Sequence, residues 1–179
     1  MNNVEYVQIS EKNFNVNSLD EFIRFQSVET CWRKSGEDYV LKPVKYIEDW
    51  TLKELGKLAE RILEETVKDS VAYSAVCEGK IVGFALIQKE LFGSEKQYAD
   101  LAEFYVSQPF RGKGIGKALF KLACKSAKRF GAKKLYISAH STEDSIAAYK
   151  SFGCIPAKEI NVTLAEKEPF DLQLEFELN

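Results

Sequence analysis

The chain has 179 residues, 45% of them hydrophobic and 29% charged, with a net charge of −2 and one histidine. That length and balance suit one globular domain with a full core and give no basic excess for nucleic acid. The longest apolar run, Ile81 to Ile87, is too short to span a bilayer, and four dispersed cysteines offer no zinc spacing, so neither membrane nor metal is expected. Residues 1–14 are polar and mixed in charge, which predicts no signal peptide and a cytoplasmic chain with reduced thiols.

In chain order, Val4 to Ile9 alternates as a first strand. Ser18 is placed to cap a helix carrying Leu19, Phe22, Ile23 and Phe25 toward Val28. Glu29 to Ile47 is less periodic and carries Trp32, Tyr39, Pro43 and Tyr46. Thr51-x-x-Glu54 is a capping box for a second helix with Leu52, Leu55, Ala59 and Ile62 inward. Val71–Cys77 and Lys80–Phe92 read as strands joined at Glu78-Gly79, with Gly83 marking a bulge or a close backbone approach. Gln97 to Val106 is a strand, and Gly114 to Phe130 a helix with Ile115, Leu119, Leu122, Ser126 and Phe130 inward. Lys133 to Ala139 is the next strand. Ser141-x-x-Asp144 is placed to cap a helix that ends at Gly153, and Asn161–Leu164 and Phe170–Leu178 complete the sheet. No repeat or linker divides the chain, so 1–179 is read as one mixed α/β (α+β) domain.

The informative stretch runs from Phe104 to Leu119, a strand end followed by glycines at 112, 114 and 116 and then a helix start. Alternate glycines let successive amides point into one concavity, and a helix N-terminus adds partial positive charge, which suits a pyrophosphate. A P-loop needs one more residue between its glycines and a Ser or Thr after the Lys, where Ala118 stands. The dinucleotide fingerprint fails because Lys117 occupies its third glycine. What fits is R-x-x-G-x-G: Arg111, Gly114, Gly116. Lys113 and Lys117 oppose the helix dipole, a conflict that a bound polyanion removes. The phosphate candidates are therefore Arg111, Gly112, Lys113, Gly114, Ile115, Gly116 and Lys117.

With Val106 five residues before Arg111, this strand–loop–helix resembles that of the GNAT superfamily of acyl-CoA N-acyltransferases. The family's usual proline falls one position later here, at Pro109. Ser145 to Cys154, a helix carrying Tyr149 and ending in Phe152-Gly153, matches the family's second motif. The resemblance covers residues 71–179 and implies a central mixed, mostly antiparallel sheet, splayed at the acyl-CoA site and flanked by helices. It also implies acetyl-CoA as co-substrate, with a variable acceptor-side part over about residues 1–70.

The same resemblance places Phe104, Tyr105 and Val106 along the pantetheine arm of the coenzyme. Thr142 stands where many members carry an Asn for that arm, and Ser145 follows on the same helix. Tyr149 stands at the general acid; a phenol of pKa near ~10 is protonated at neutral pH and can return a proton to a thiolate. A primary amine is almost wholly protonated at pH 7, so a base is needed, and Asp100 and Glu103 are its candidates. Their odd separation puts them on opposite faces of a regular strand, Asp100 beside Ala102, Phe104 and Val106. Asp100 is favoured. His140 has no evident partner and is not a candidate. Trp32, Tyr39, Glu29, Glu37, Asp38 and the Leu91–Gln97 turn are candidates for the acceptor side. The expected activity is N-acetylation of a small-molecule or protein amine by direct attack in a ternary complex, and a homodimer is compatible with it. The rival readings are a non-catalytic acyl-CoA-binding module and a nucleotide-phosphate enzyme, the latter without a Walker Lys-Ser/Thr.

Overall fold

The computed structural model describes residues 3–36 and 38–179. Strand β1 (Val4–Gln8) leads through turns to a hairpin of β2 (Gln26–Ser35) and β3 (Asp38–Glu48), then to helix α1 (Leu52–Val67). Strands β4 (Val71–Cys77), β5 (Lys80–Ile87) and β6 (Tyr98–Val106) precede a 3-10 turn at Gln108–Phe110 and helix α2 (Ile115–Arg129). The remainder is β7 (Lys134–Ala139), α3 (Glu143–Phe152), β8 (Ile155–Pro156), α4 (Val162–Lys167) and β9 (Leu172–Glu177). The described residues form a seven-stranded sheet of order β1-β4-β5-β6-β7-β9-β8. Every neighbouring pair in it is antiparallel except β6 and β7, which the α2 crossover makes parallel. This is the mixed, mostly antiparallel sheet that the resemblance implies.

Two apolar layers cover the sheet. Alternation along β4 and β5 sends Tyr73, Ala75, Ala85 and Ile87 to the α2 side, where they meet Ile115, Leu119 and Ala123. It sends Ala72, Phe84 and Leu86 to the α1 side, against Leu55, Ala59 and Ile62. The α1 capping box is formed: Thr51 Oγ1 accepts from the Glu54 amide, and Glu54 accepts from the Thr51 amide at 2.8 Å.

Gly83 satisfies both of its expectations. The ladder slips opposite it, between Ala75 and Val76, and a Cβ at Gly83 would lie 2.9 Å from Leu119 Cδ1 and 3.2 Å from the Tyr105 carbonyl. Gly83→Val should therefore cost about 1–3 kcal/mol by forcing α2 off the sheet, read as a lower urea midpoint with an unchanged m-value.

Leu52, expected inward, stands exposed in the first turn of α1, and β5 ends at Ile87, not Phe92; four further elements differ from expectation. Residues 16–21 form turns, not a helix, because short polar side chains satisfy the local backbone themselves. Ser18 Oγ accepts from the Asn15 amide and Asn15 Oδ1 from the Asn17 amide, both at 2.9 Å. Leu19 and Phe22 still reach the α1-side core. The weakly periodic 29–47 stretch is the β2–β3 hairpin; β3 is exposed along most of its length, so no face needed to be apolar. The cap of α3 is Thr142, one residue after Ser141. Asn161 caps helix α4 by accepting from the Leu164 amide, so the segment read as a strand from Asn161 is helical.

The hairpin is fastened to the β7–α3 junction. The Trp32 amide donates to the Ser141 carbonyl at 2.8 Å, and Arg33 bonds Ser141 Oγ while stacking on Phe170. That attachment carries the hairpin's base, Gln26 and Glu48, to the open end of the sheet.

Candidate active site

Strand β6 pairs with β7 only from Tyr98 to Asp100, whereas its other edge stays on β5 as far as Val106. Beyond Asp100 the β7-side N–H and C=O groups of β6 face the gap between diverging strands. A cleft of about 850 Å³ opens there, lined by residues 100–106, the glycine loop, α3, the hairpin base and the α4–β9 segment.

One wall is the loop. Gly112 and Gly114 have φ of +72° and +83°, a left-handed backbone that side chains rarely adopt, and a Cβ on either would meet no atom within 4 Å. Gly114 is the N-cap of α2 and provides no side-chain cap, so the amides of the first turn point outward with the positive end of the helix dipole. Arg111 Nε donates to the Val106 carbonyl at 3.1 Å, which holds the guanidinium across the strand end, and burial pulls its pKa down. Arg111, Gly112, Gly114, Gly116 and Lys117 line the cleft. Lys113 instead lies over the Phe110 ring, and the Ile115 side chain is in the α2-side core, leaving only its amide for a ligand. Gly116 lets α2 start close to Phe104 and Val106.

The opposite wall holds the titratable groups. The ladder between β5 and β6 pairs Leu86 with Glu103 but Ile87 with Leu101, so Ala102 is an extra residue, a β-bulge. The bulge reverses the alternation. Ala99 and Leu101 face the α2-side core, and so do Phe104 and Val106. Ala102 and Tyr105 face α1. The expectation that Asp100 and Glu103 lie on opposite faces is thereby corrected: both point into the cleft on the α1 side, and Phe104 and Val106 are not beside Asp100.

Glu103 ion-pairs with Arg61 of α1. Asp100 is 6% exposed and has no side-chain hydrogen bond among the described residues. Burial, then the Glu103 charge, pushes its carboxyl up to about 7, against Arg61 and Lys167. Burial also raises Glu103, with Arg61 the main opposing influence.

Tyr149 projects from α3 with its ring 5.8 Å from that of Phe104 and 6.3 Å from that of Phe152. Burial holds its phenol well above the ordinary value, so it stays protonated. Its hydroxyl has no hydrogen-bond partner among the described residues. Thr142 is 2% exposed, and its hydroxyl serves the cap by accepting from the Ser145 amide; Ser145 itself lines the cleft.

Several lining residues were not legible in the sequence. Arg24, from the turn region, lies between the Trp50 and Tyr105 rings, 5.3 and 5.2 Å from their centroids, and ion-pairs with Glu48 at 2.6 Å. Glu48 also meets His140 Nε2 at 3.2 Å, so His140 does have a partner, in Glu48 and in the Tyr46 hydroxyl. Asp171, from the start of β9, accepts from Ser138 Oγ at 3.1 Å. Of the residues expected on the acceptor side, Trp32 packs beneath Lys150, Tyr39 is exposed on the hairpin, and neither they, Glu29, Asp38 nor the 91–97 turn lines the cleft. Glu37 lies outside the described residues.

Residues 28–154, which contain the splayed strand, the loop and the Tyr149 helix, match the Acetyltransferase (GNAT) family. The chain belongs to the GNAT family. A curated relative, the uncharacterised N-acetyltransferase YjgM of Escherichia coli (strain K12), is 34% identical over 77 residues. That stretch is 42% of this chain and 46% of YjgM, so the match spans about half the length of the relative. Among solved structures, nourseothricin acetyltransferase aligns with a TM-score of 0.73 at 16% identity, over 98% of this chain and 99% of that one. A protein of Bacillus anthracis str. Ames, named as a candidate streptothricin acetyltransferase and solved with acetyl coenzyme A, aligns with a TM-score of 0.71 at 16% identity over 99% of each chain. The PaiA N-acetyltransferase of Thermoplasma acidophilum, in complex with coenzyme A, aligns at 0.62 and 16% identity, over 98% of this chain and 99% of that one. At these identities the likeness shows the GNAT fold.

Proposed function

We propose that this chain is an N-acetyltransferase that moves the acetyl group of acetyl-CoA to a primary amine by direct attack in a ternary complex. The observation that carries this is the placement of Asp100 and Tyr149 in one cleft with the glycine loop, at the point where β6 and β7 part. The loop fits a pyrophosphate: its left-handed glycines leave open space where side chains would stand, and its helix N-terminus is uncapped. The coenzyme supplies an activated acyl thioester, and two solved neighbours of this fold hold coenzyme A or its acetyl form.

Within the chain, loop amides and Arg111 hold the phosphates. The free edge of β6 offers main-chain donors to the pantetheine arm and to negative charge developing on the acyl oxygen. Asp100, with a pKa of about 7, takes the proton of the incoming ammonium group; a base is most effective when its pKa lies near the working pH. Tyr149, held neutral, gives a proton to the departing thiolate. None of the four cysteines lines the cleft, and burial pushes Cys124 up to about 11 and Cys154 up to about 12, which favours direct attack over an acyl-thiol route.

Calorimetric titration with acetyl-CoA, followed by thiol release across an amine panel, tests the reading. Binding without turnover of any amine would leave a coenzyme-binding module. Gly114→Val should weaken acetyl-CoA binding by about a hundredfold or more, because a β-branched residue is strained at φ +83° and its side chain enters the phosphate cradle. A folded variant that binds as the parent does would overturn the loop assignment.

A further inference from the structure

Beyond the glycine loop, the cleft is lined by six carboxylates, one of which, Asp144, acts on Arg111, and by three fixed cations. Two of the cations are already neutralised, Arg24 by Glu48 and Arg61 by Glu103. Lys167 remains, with the Glu48-bound His140 beside Asp171, against Asp100, Glu168 and Asp171, which form no ion pair among the described residues. The surplus is divided between two places. Asp100, buried and without a hydrogen-bond partner, faces the cleft from the parting strands. Asp171 faces it from the start of β9, half-buried, with the Ser138 hydroxyl on one oxygen and Glu168 following helix α4 on the same lip.

We infer that the acceptor is a diamine or polyamine-like cation, whose reacting amine is received at Asp100 and whose second cationic group is received by Asp171. A single amine would leave only Lys167 and His140 to offset Asp171 and Glu168, whereas a second ammonium group gains a charge-assisted hydrogen bond with Asp171. Ser138 fixes the Asp171 carboxylate, so little freedom is lost when the ligand arrives. Asp171 lies outside residues 28–154, so the match to the family assigns it no role. The inference rests on the N-acetyltransferase reading for the reaction but not for the binding.

Three acceptors of equal length provide the test: hexylamine, 1,6-diaminohexane and 6-aminohexanoate present the same amine with no charge, a cation or an anion at the far end. Diamines from 1,3-diaminopropane to 1,8-diaminooctane scan the span. For the best diamine, kcat/KM should exceed that of its monoamine by about tenfold or more, the scale of one charged hydrogen bond, with the aminoalkanoate lowest. Asp171→Asn should collapse the diamine-to-monoamine ratio through KM, not kcat. Equal rates for monoamine and diamine, a preference for the aminoalkanoate, or a loss shared by all three in Asp171→Asn would overturn the inference. Calorimetry of the same diamines into the protein–coenzyme A complex separates the two readings. Binding that depends on Asp171 without turnover would sink the catalytic reading and keep this one; absence of diamine binding would sink this one.

Discussion

Asp100→Asn is expected to lower kcat/KM by about a hundredfold or more at pH 7, the scale of general-base catalysis. In the parent, kcat/KM should rise with pH through about 7 as Asp100 loses its proton, and then follow ionisation of the amine. The variant should lose the first limb and keep the second, so its deficit shrinks as more amine arrives neutral. A deficit that stays constant with pH would make Asp100 a binding residue. Because the bulge at Ala102 puts Glu103 in the same cleft, Glu103→Gln is not silent. Its charge helps to raise Asp100, so removing it should move the first limb to lower pH. Stability should respond in the opposite sense to activity. The folded chain holds the Asp100 proton more tightly than the unfolded chain, where a carboxyl ionises near ~3.9. Stability contributed at this site is therefore full in acid and falls as pH rises toward and through about 7. Asp100→Asn should raise the thermal midpoint at pH 8 while it lowers turnover, and a lowered midpoint would argue against a buried, uncompensated carboxylate.

Tyr149→Phe is expected to lower kcat by about 10²–10⁴-fold, the contribution of a general acid. Affinity for acetyl-CoA and the urea midpoint should barely move. The ring keeps its packing against Phe104 and Phe152, and the lost hydroxyl has no partner among the described residues. That last point makes the variant informative. Where a buried hydroxyl is hydrogen-bonded, its removal mixes a stability cost into the rate; here nothing is left unpaired. Turnover equal to the parent would reduce Tyr149 to a packed aromatic.

The parts of this protein that its sequence determined are those built from neighbours in the chain. The capping box at Thr51 and Glu54, the glycine turn at 78–79, the loop from Arg111 to Gly116 and the Tyr149 helix depend on hydrogen bonds within a few residues. So does the α2 stripe, whose buried positions Ile115, Leu119 and Ser126 follow the helical period. Competing local bonds misled the reading where two patterns were available: Ser18 resembles a helix cap but closes a turn, and Asn161 resembles a strand start but caps a helix.

What only the tertiary structure decided are relations between distant segments. The ladder slip at Ala102 is a property of the β5–β6 pairing, and it alone puts Asp100 and Glu103 on one face, against the alternation that the residues by themselves suggest. Arg24, Glu48 and His140 carry no motif; a turn, a hairpin base and a strand end bring them together because the hairpin is fastened at Ser141. Asp171 reaches the cleft because β9 runs beside β7, across from the point where β6 leaves it. The glycine loop, which needs contiguous backbone, was thus written in the sequence. The charged wall of the cleft, which brings residues from six segments to one place, was written only in the fold.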